Sequence, residues 1–329
     1  MTRHPQFGIF LGLFGALAIT PDTLLMRWSA MGGAEMTAWR GLLMGATLLS
    51  AWLIFRRRHL RGDLRAIACG AGMLVVVCQF FNLSLFAIGI AVAPVPVVLF
   101  SVATTPIFSA LLSRMLLGEG THWSTWATIV AVLAGIGIAV FGASPGGAGG
   151  SPLLGAAAGL GVALSLALSF VTIRRRTQLP ILLMVAVGAM LAGLFSLAWI
   201  GPRAMAGGHL WAIALSGGLI LPVSFFSLSL APRYTQASNV SLLLLLETIL
   251  GPIWVWAGIG VAPTPAMLAG GAIVIGSLAV YLWYAAQRQT RVRGLAPSSE
   301  PSSGASLDDE GRVSPSTPTP AMAPGSVTQ

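Results

Sequence analysis

Five charged residues stand within or at the edges of otherwise apolar stretches: Asp22, Arg27, Glu35, Arg40 and Glu247. Glu247 follows five leucines in "SLLLLLETILGP", near the centre of a stretch long enough to cross hydrocarbon. Burial disfavours the charged form of a carboxyl, so an unpaired Glu247 would be largely protonated at neutral pH. Such a group, gaining and losing a proton as its access changes, suits a coupling site or a site for a substrate amine. The plainer alternative is a neutral or paired glutamate bonded to a neighbouring helix. Asp22 and Arg40 lie at equal depth on consecutive stretches, about 7 Å inside the same end. Unpaired, either would cost about 3 kcal/mol or more, so the two are expected to pair. The pair could be a buried clamp between helices, or an outer gate or site for a charged substrate group. Glu35 and Arg27 fall at stretch ends and read as interfacial.

Neutral polar residues add possible hydrogen bonds: Gln79 and Asn82 in one stretch, Tyr234 and Asn239 in another. Each reads as contact between helices or as a ligand contact. Trp28, Trp52, Trp254 and Trp256 lie near stretch boundaries, as in an aromatic belt. Trp39, beside Arg40, is the best tryptophan candidate for lining a cavity. Catalysis has little support. His4, His59, His122 and His209 lack metal-ligand spacing, no GxSxG or HExxH occurs, and a chain without Lys has no Walker-A lysine. No metal, cofactor or nucleic-acid partner is implied. Cys69 and Cys78, nine apart, read as buried small apolar residues.

The elements that must hold these residues are membrane helices. The 329 residues are 56% hydrophobic and only 8% charged, with mean hydropathy +0.86, against about 25% charged in soluble domains. Runs near 20 residues suit helices spanning hydrocarbon. Ten candidates follow, at about 7–26, 35–55, 65–89, 95–116, 124–142, 152–173, 181–200, 209–230, 237–257 and 265–286. Their connections are short, as antiparallel neighbours in a bundle require. The first run lacks a small-residue cleavage site and reads as a span rather than a signal peptide. Pro21 removes a backbone donor beside Asp22 and predicts a kink there.

With the N-terminus cytoplasmic, inside segments hold every arginine except Arg27, Arg40, Arg203 and Arg312. That asymmetry puts both termini inside. Residues 1–6 form a short cytoplasmic N-terminus, and 287–329, rich in Pro and Ser, read as a disordered cytoplasmic tail.

The two halves resemble each other. A shift of about 142 residues sets Thr105-Pro106 on Glu247-Thr248 and Gly118 on Gly260, and a one-residue slip brings Gly135 onto Gly276. Five spans per half would put the second repeat in the membrane upside down, an arrangement characteristic of secondary transporters. The glycine pairs Gly41/Gly45 and Gly155/Gly159 fit close helix packing.

The blocks "TPIFSALLSRMLLGEGTHWSTWATIVAVLAGIGI", "WRGLLMGATLL" and "APRYTQASNVSLLLLLETILGPIWVW" resemble the drug/metabolite transporter superfamily, EamA-type branch. With the hydropathy pattern, the resemblance covers residues 7–286. It implies an all-α polytopic fold of ten transmembrane helices, as two inverted five-helix repeats over 7–142 and 152–286. It also implies movement of small metabolites by alternating access without ATP hydrolysis. The second half departs from the family at "GIGVAPTP", where Val261 replaces a common acidic residue. A role needing acids at both turns is therefore not implied.

The expectation is a secondary active transporter, multi-pass in the cell inner membrane, for small polar or amphipathic metabolites such as amino acids. Export ranks ahead of uptake, protons are the candidate coupling ion, and the chain would act as a monomer or homodimer. The candidate substrate-binding or coupling residues are Glu247, Asp22, Arg40, Trp39, Gln79 and Asn82. The alternatives are a cationic-drug efflux pump of the same superfamily, which Arg40 disfavours unless Asp22 neutralises it, and a non-transporting membrane scaffold.

Overall fold

A computed structural model describes residues 5–56, 60–117, 123–142, 151–235, 240–241 and 243–294. Among them every regular element is a helix. In hydrocarbon a helix satisfies each backbone donor and acceptor within its own segment, so the long Leu-, Ala- and Val-rich runs fold this way. The helices are α1 (Pro5–Ile19), α2 (Asp22–Ser29), α3 (Gly33–Arg56), α4 (Leu60–Ala68), α5 (Gly70–Val92), α6 (Val95–Val102) and α7 (Thr105–Leu117). There follow α8 (Trp123–Phe141), α9 (Pro152–Arg175), α10 (Ile181–Ile200), α11 (Leu210–Leu215), α12 (Leu221–Leu230), α13 (Leu245–Ile259) and α14 (Pro265–Gly294).

Among the described residues, seven helical stretches are long and apolar enough to cross a membrane: Gln6–Ser29, Gly33–Phe55, Gly70–Val92, Val95–Met115, Pro152–Arg175, Ile181–Ile200 and Leu210–Arg233. The other three candidates from the sequence coincide with shorter apolar helical stretches, Val130–Phe141, Leu245–Ile259 and Pro265–Ser277. The third candidate begins differently from expectation. Residues 60–68 form a separate helix, α4, and the chain turns at Cys69 before α5. Trp52, expected in an aromatic belt, is buried and donates from Nε1 to Asp63 Oδ2 at 2.8 Å. Asn239, the Gly118-Glu119 turn and the tail from 295 onward lie outside the described residues.

Several helices are broken inside the apolar layer, each with a local cause. Pro21 cannot donate to the ladder, so α1 ends at Ile19, and Thr20 Oγ1 returns to the Leu17 carbonyl at 2.9 Å. Between α6 and α7, the hydroxyls of Thr104 and Thr105 donate to the carbonyls of Ser101 and Val102, at 2.7 and 2.6 Å. Pro106 fits the first turn of α7, where its missing N–H has no partner to lose. A turn at Leu244 precedes α13. Between α11 and α12 lies one π-helical turn, Ser216–Ile220, a widening frequent at functional positions.

The chain divides into two compact units, Met1–Ala285 and Ala286–Gln329. In the first, helices from early and late in the sequence interleave. The closest packing joins α3 to α10, where a Cβ on Gly41 would lie 2.5 Å from the Gly193 nitrogen. α9 lies against α5, α6 and α7, and a Cβ on Gly159 would lie 2.6 Å from that of Ser101. Without side chains at these contacts, backbones approach closely, the chief means by which membrane helices associate. A core cluster including Phe86, Leu99, Val162, Phe170 and Leu228 fills the space between these helices.

Candidate functional site

Asp22 opens α2, where the unpaired N–H groups of a helix start favour an anion. It is fully buried, as is Arg40 on α3. The guanidinium Nη2 of Arg40 donates to Asp22 Oδ2, the ion pair expected from the sequence. The other oxygen, Oδ1, accepts from Ser216 Oγ at 2.5 Å. Asp22 thus has both oxygens engaged, by α3 and by the π turn. That turn also presses on Arg40 from behind. A Cβ on Gly217 would sit 2.9 Å from the Arg40 Cα, so a glycine lets the two backbones meet. Ser216 had no place among the sequence candidates. The signal available for it was "SGG" shortly before Pro222 in an apolar run, a pattern prone to helix irregularity.

Arg40 also lines a cavity. Its Nε and Nη1 have no hydrogen-bond partner, nor does Oε1 of Glu247, and both residues line this space. Each carboxylate, Asp22 and Glu247, attracts the Arg40 guanidinium electrostatically. Glu247 is buried and lies in the first turn of α13, so both intramembrane acids sit at helix starts inside the apolar layer. The cavity is about 30 Å³, room for roughly two waters. Apart from Arg40 and Glu247, its polar wall is Asn82, and its apolar wall includes Phe86, Phe170 and Phe225. The Phe86 ring centroid lies 5.7 Å from the Arg40 Cζ, close enough for a cation–π contribution. The lining comes from α1, α3, α5 and α6 of the first half of the chain and from α9, α12, Leu244 and α13 of the second.

The remaining sequence candidates fall around this centre. Gln79 is buried beside it, accepting from Asn82 Nδ2 at 3.4 Å, and its Cβ fills the space next to Gly188 of α10. Trp39 does not line the cavity; its Nε1 donates to the Met205 carbonyl at 3.1 Å, tying α3 to the short turn Pro202–Ala206. Tyr234 packs edge-on against Phe7, with ring centroids 5.1 Å apart. Glu35 accepts from the Gly32 backbone N–H at 3.0 Å, closing the start of α3. Arg27 donates to the Ala93 carbonyl and lines a second cavity, about 210 Å³, with Pro94, Pro252 and Pro263.

Residues 6–141 match the model of the EamA-like transporter family. The first half of the chain is EamA-like. That half contains Asp22, Arg40, Gln79 and Asn82, while Glu247 comes from beyond the matched residues. The match agrees with the drug/metabolite transporter resemblance of the first two sequence blocks, in a multi-pass membrane protein, while the third block, at 231–256, lies beyond the matched residues. A solved crystal structure superposes on the chain with a TM-score of 0.60 at 17% identity, covering 87% of this chain and 100% of that one. At that identity the likeness concerns the fold alone. No curated protein matches the sequence.

Proposed function

We propose that this EamA-family protein is a secondary active transporter of small polar or amphipathic metabolites, amino acids or related compounds, in the cell inner membrane. It exports rather than imports, by alternating access coupled to protons. In this reading ten spans form two inverted five-helix repeats, residues 7–142 and 152–286, and both termini are cytoplasmic. The observation that carries the proposal is the Arg40–Glu247 cavity, lined from both chain halves by a cation and a carboxyl that each hold buried atoms without a hydrogen-bond partner. Broken helices beside a site between repeats support it, since secondary transporters commonly build their sites that way. The breaks before α7 and α13, with helices restarting at Thr105 and Leu245, lie within two residues of positions the repeat alignment pairs, which supports the reading.

Arg40 holds Asp22 with one nitrogen and keeps Nε and Nη1 for a substrate carboxylate. Glu247 takes a substrate ammonium or a proton, and the phenylalanines receive an apolar side chain. The cavity is far below the ~300 Å³ of ordinary ligand pockets, so loading requires the lining helices to part. A cationic-drug pump fits less well: Asp22 offsets the charge of Arg40, but the unpartnered guanidinium N–H groups are donors, which a cationic ammonium cannot accept. The test compares compounds released by cells carrying wild type, Glu247→Gln or no transporter, at equal membrane levels. Wild type indistinguishable from no transporter for every compound tested overturns transport. Glu247→Gln with wild-type profile and pH dependence overturns the coupling role.

A further inference from the structure

α4 was not anticipated from the hydropathy, and neither the cavity nor the family match gives it a task. Its docked face is well anchored. Asp63 is buried and accepts from Trp52 Nε1, and Ile67, one turn on, packs against the core cluster that includes Leu48, Val75 and Met184. The corner into α5 is tight. Cys69 Sγ accepts from the Gly72 N–H at 3.4 Å and donates to the Ala66 carbonyl at 2.8 Å. A Cβ on Gly72 would lie 2.1 Å from that carbonyl oxygen, so glycine is required for the approach. The orientation of α4 is therefore fixed by packing and capping.

The opposite face carries Arg61, Leu64, Arg65 and Ala68, all exposed. Their i, i+3, i+4, i+7 spacing makes one stripe. Alongside it, α3 ends in the exposed Leu53, Ile54 and Phe55, and α5 begins with the exposed Met73, Leu74 and Val77. Apolar surface of that extent on membrane helices belongs against acyl chains, and the two guanidiniums stand on the helix that joins these surfaces. The acid within α4, Asp63, is turned inward, so the open stripe presents cations and a leucine.

We propose that the open face of α4 is a binding site for an anionic phospholipid. Arg61 and Arg65, one helical turn apart, hold the headgroup phosphate through paired N–H donors, and Leu64 lies at the acyl boundary. A zwitterionic headgroup is bound less well, because the stripe has no carboxylate for its ammonium.

The test adds equal phosphatidylglycerol and phosphatidylcholine to the purified full-length protein in neutral detergent and counts retained lipid by native mass spectrometry. Phosphatidylglycerol is expected to be retained over phosphatidylcholine. With about fivefold per arginine at a membrane surface, Arg61→Gln/Arg65→Gln should lose more than tenfold of that retention. Arg61→Lys/Arg65→Lys should keep most of it, and an unchanged melting temperature in both variants ties the loss to the charges. Equal retention of the two lipids by wild type, or wild-type retention by the glutamine variant, overturns the proposal. Displacement by inorganic phosphate as readily as by lipid also overturns it, making the stripe a soluble-anion site.

Discussion

Two carboxylic acids lie buried at helix starts inside the apolar layer, and they are treated in opposite ways. Asp22 has a partner for each oxygen, Arg40 and Ser216, and sits behind Arg40 as seen from the cavity. Glu247 lines that cavity, and its Oε1 has no hydrogen-bond partner. A buried ion pair whose carboxylate oxygens are both engaged resists change, because breaking it strands a charge. A carboxyl with an open oxygen beside a water-sized space can change protonation or partner without such a cost. In the proposed reading the difference gives Asp22 the holding role and Glu247 the working one, with Arg40 shared between them.

The comparison can be broken by ranking variants for loss of stability. Asp22→Asn should cost most, about 3–5 kcal/mol, because Arg40 keeps its charge in a fully buried place; thermal unfolding in detergent reads it. A small change there instead would mean that Glu247 can replace Asp22 as the partner of Arg40, and the two acids would be interchangeable. Gly217→Ala should cost about 1–3 kcal/mol by forcing the π turn off Arg40, again visible in the melting temperature. Ser216→Ala leaves Asp22 Oδ1 without its donor and should cost about 1 kcal/mol, with the ion pair intact. Glu247→Gln should cost least, within about 1 kcal/mol, yet abolish the pH dependence of export measured in proteoliposomes. If it melts as far below wild type as Asp22→Asn does, the division of labour between the acids is wrong.

Much of the pairing was legible in the residues because membrane burial leaves few options. Two opposite charges at one depth on neighbouring spans must meet, and they do. Pro21 had to interrupt the first span, and it does, setting Asp22 at a helix start. The glycine pairs at Gly41/Gly45 and Gly155/Gly159 announced close packing, and both face neighbouring backbones or small side chains. Ser216 was harder to read by contrast, since "SGG" before Pro222 marks a helix irregularity but not which residue it brings to Asp22. Its role depends on a π turn that rotates it toward Asp22. Trp39 was misdirected by its place in the chain: adjacent residues on a helix point about 100° apart, so the neighbour of Arg40 need not share its cavity. The corner at Cys69 was hidden for a similar reason, because hydropathy ran on through it while a thiol cap and a glycine contact turned the chain.

By itself, then, the sequence determined the medium, the helical class and which charges could not stand alone, because transfer into hydrocarbon prices each residue independently of its neighbours in space. Only the tertiary structure decided which oxygen of which acid stays open, since that depends on helix rotation and on backbone contacts such as Gly217 against Arg40. Those contacts come from segments far apart in the chain, and local composition carries no record of them.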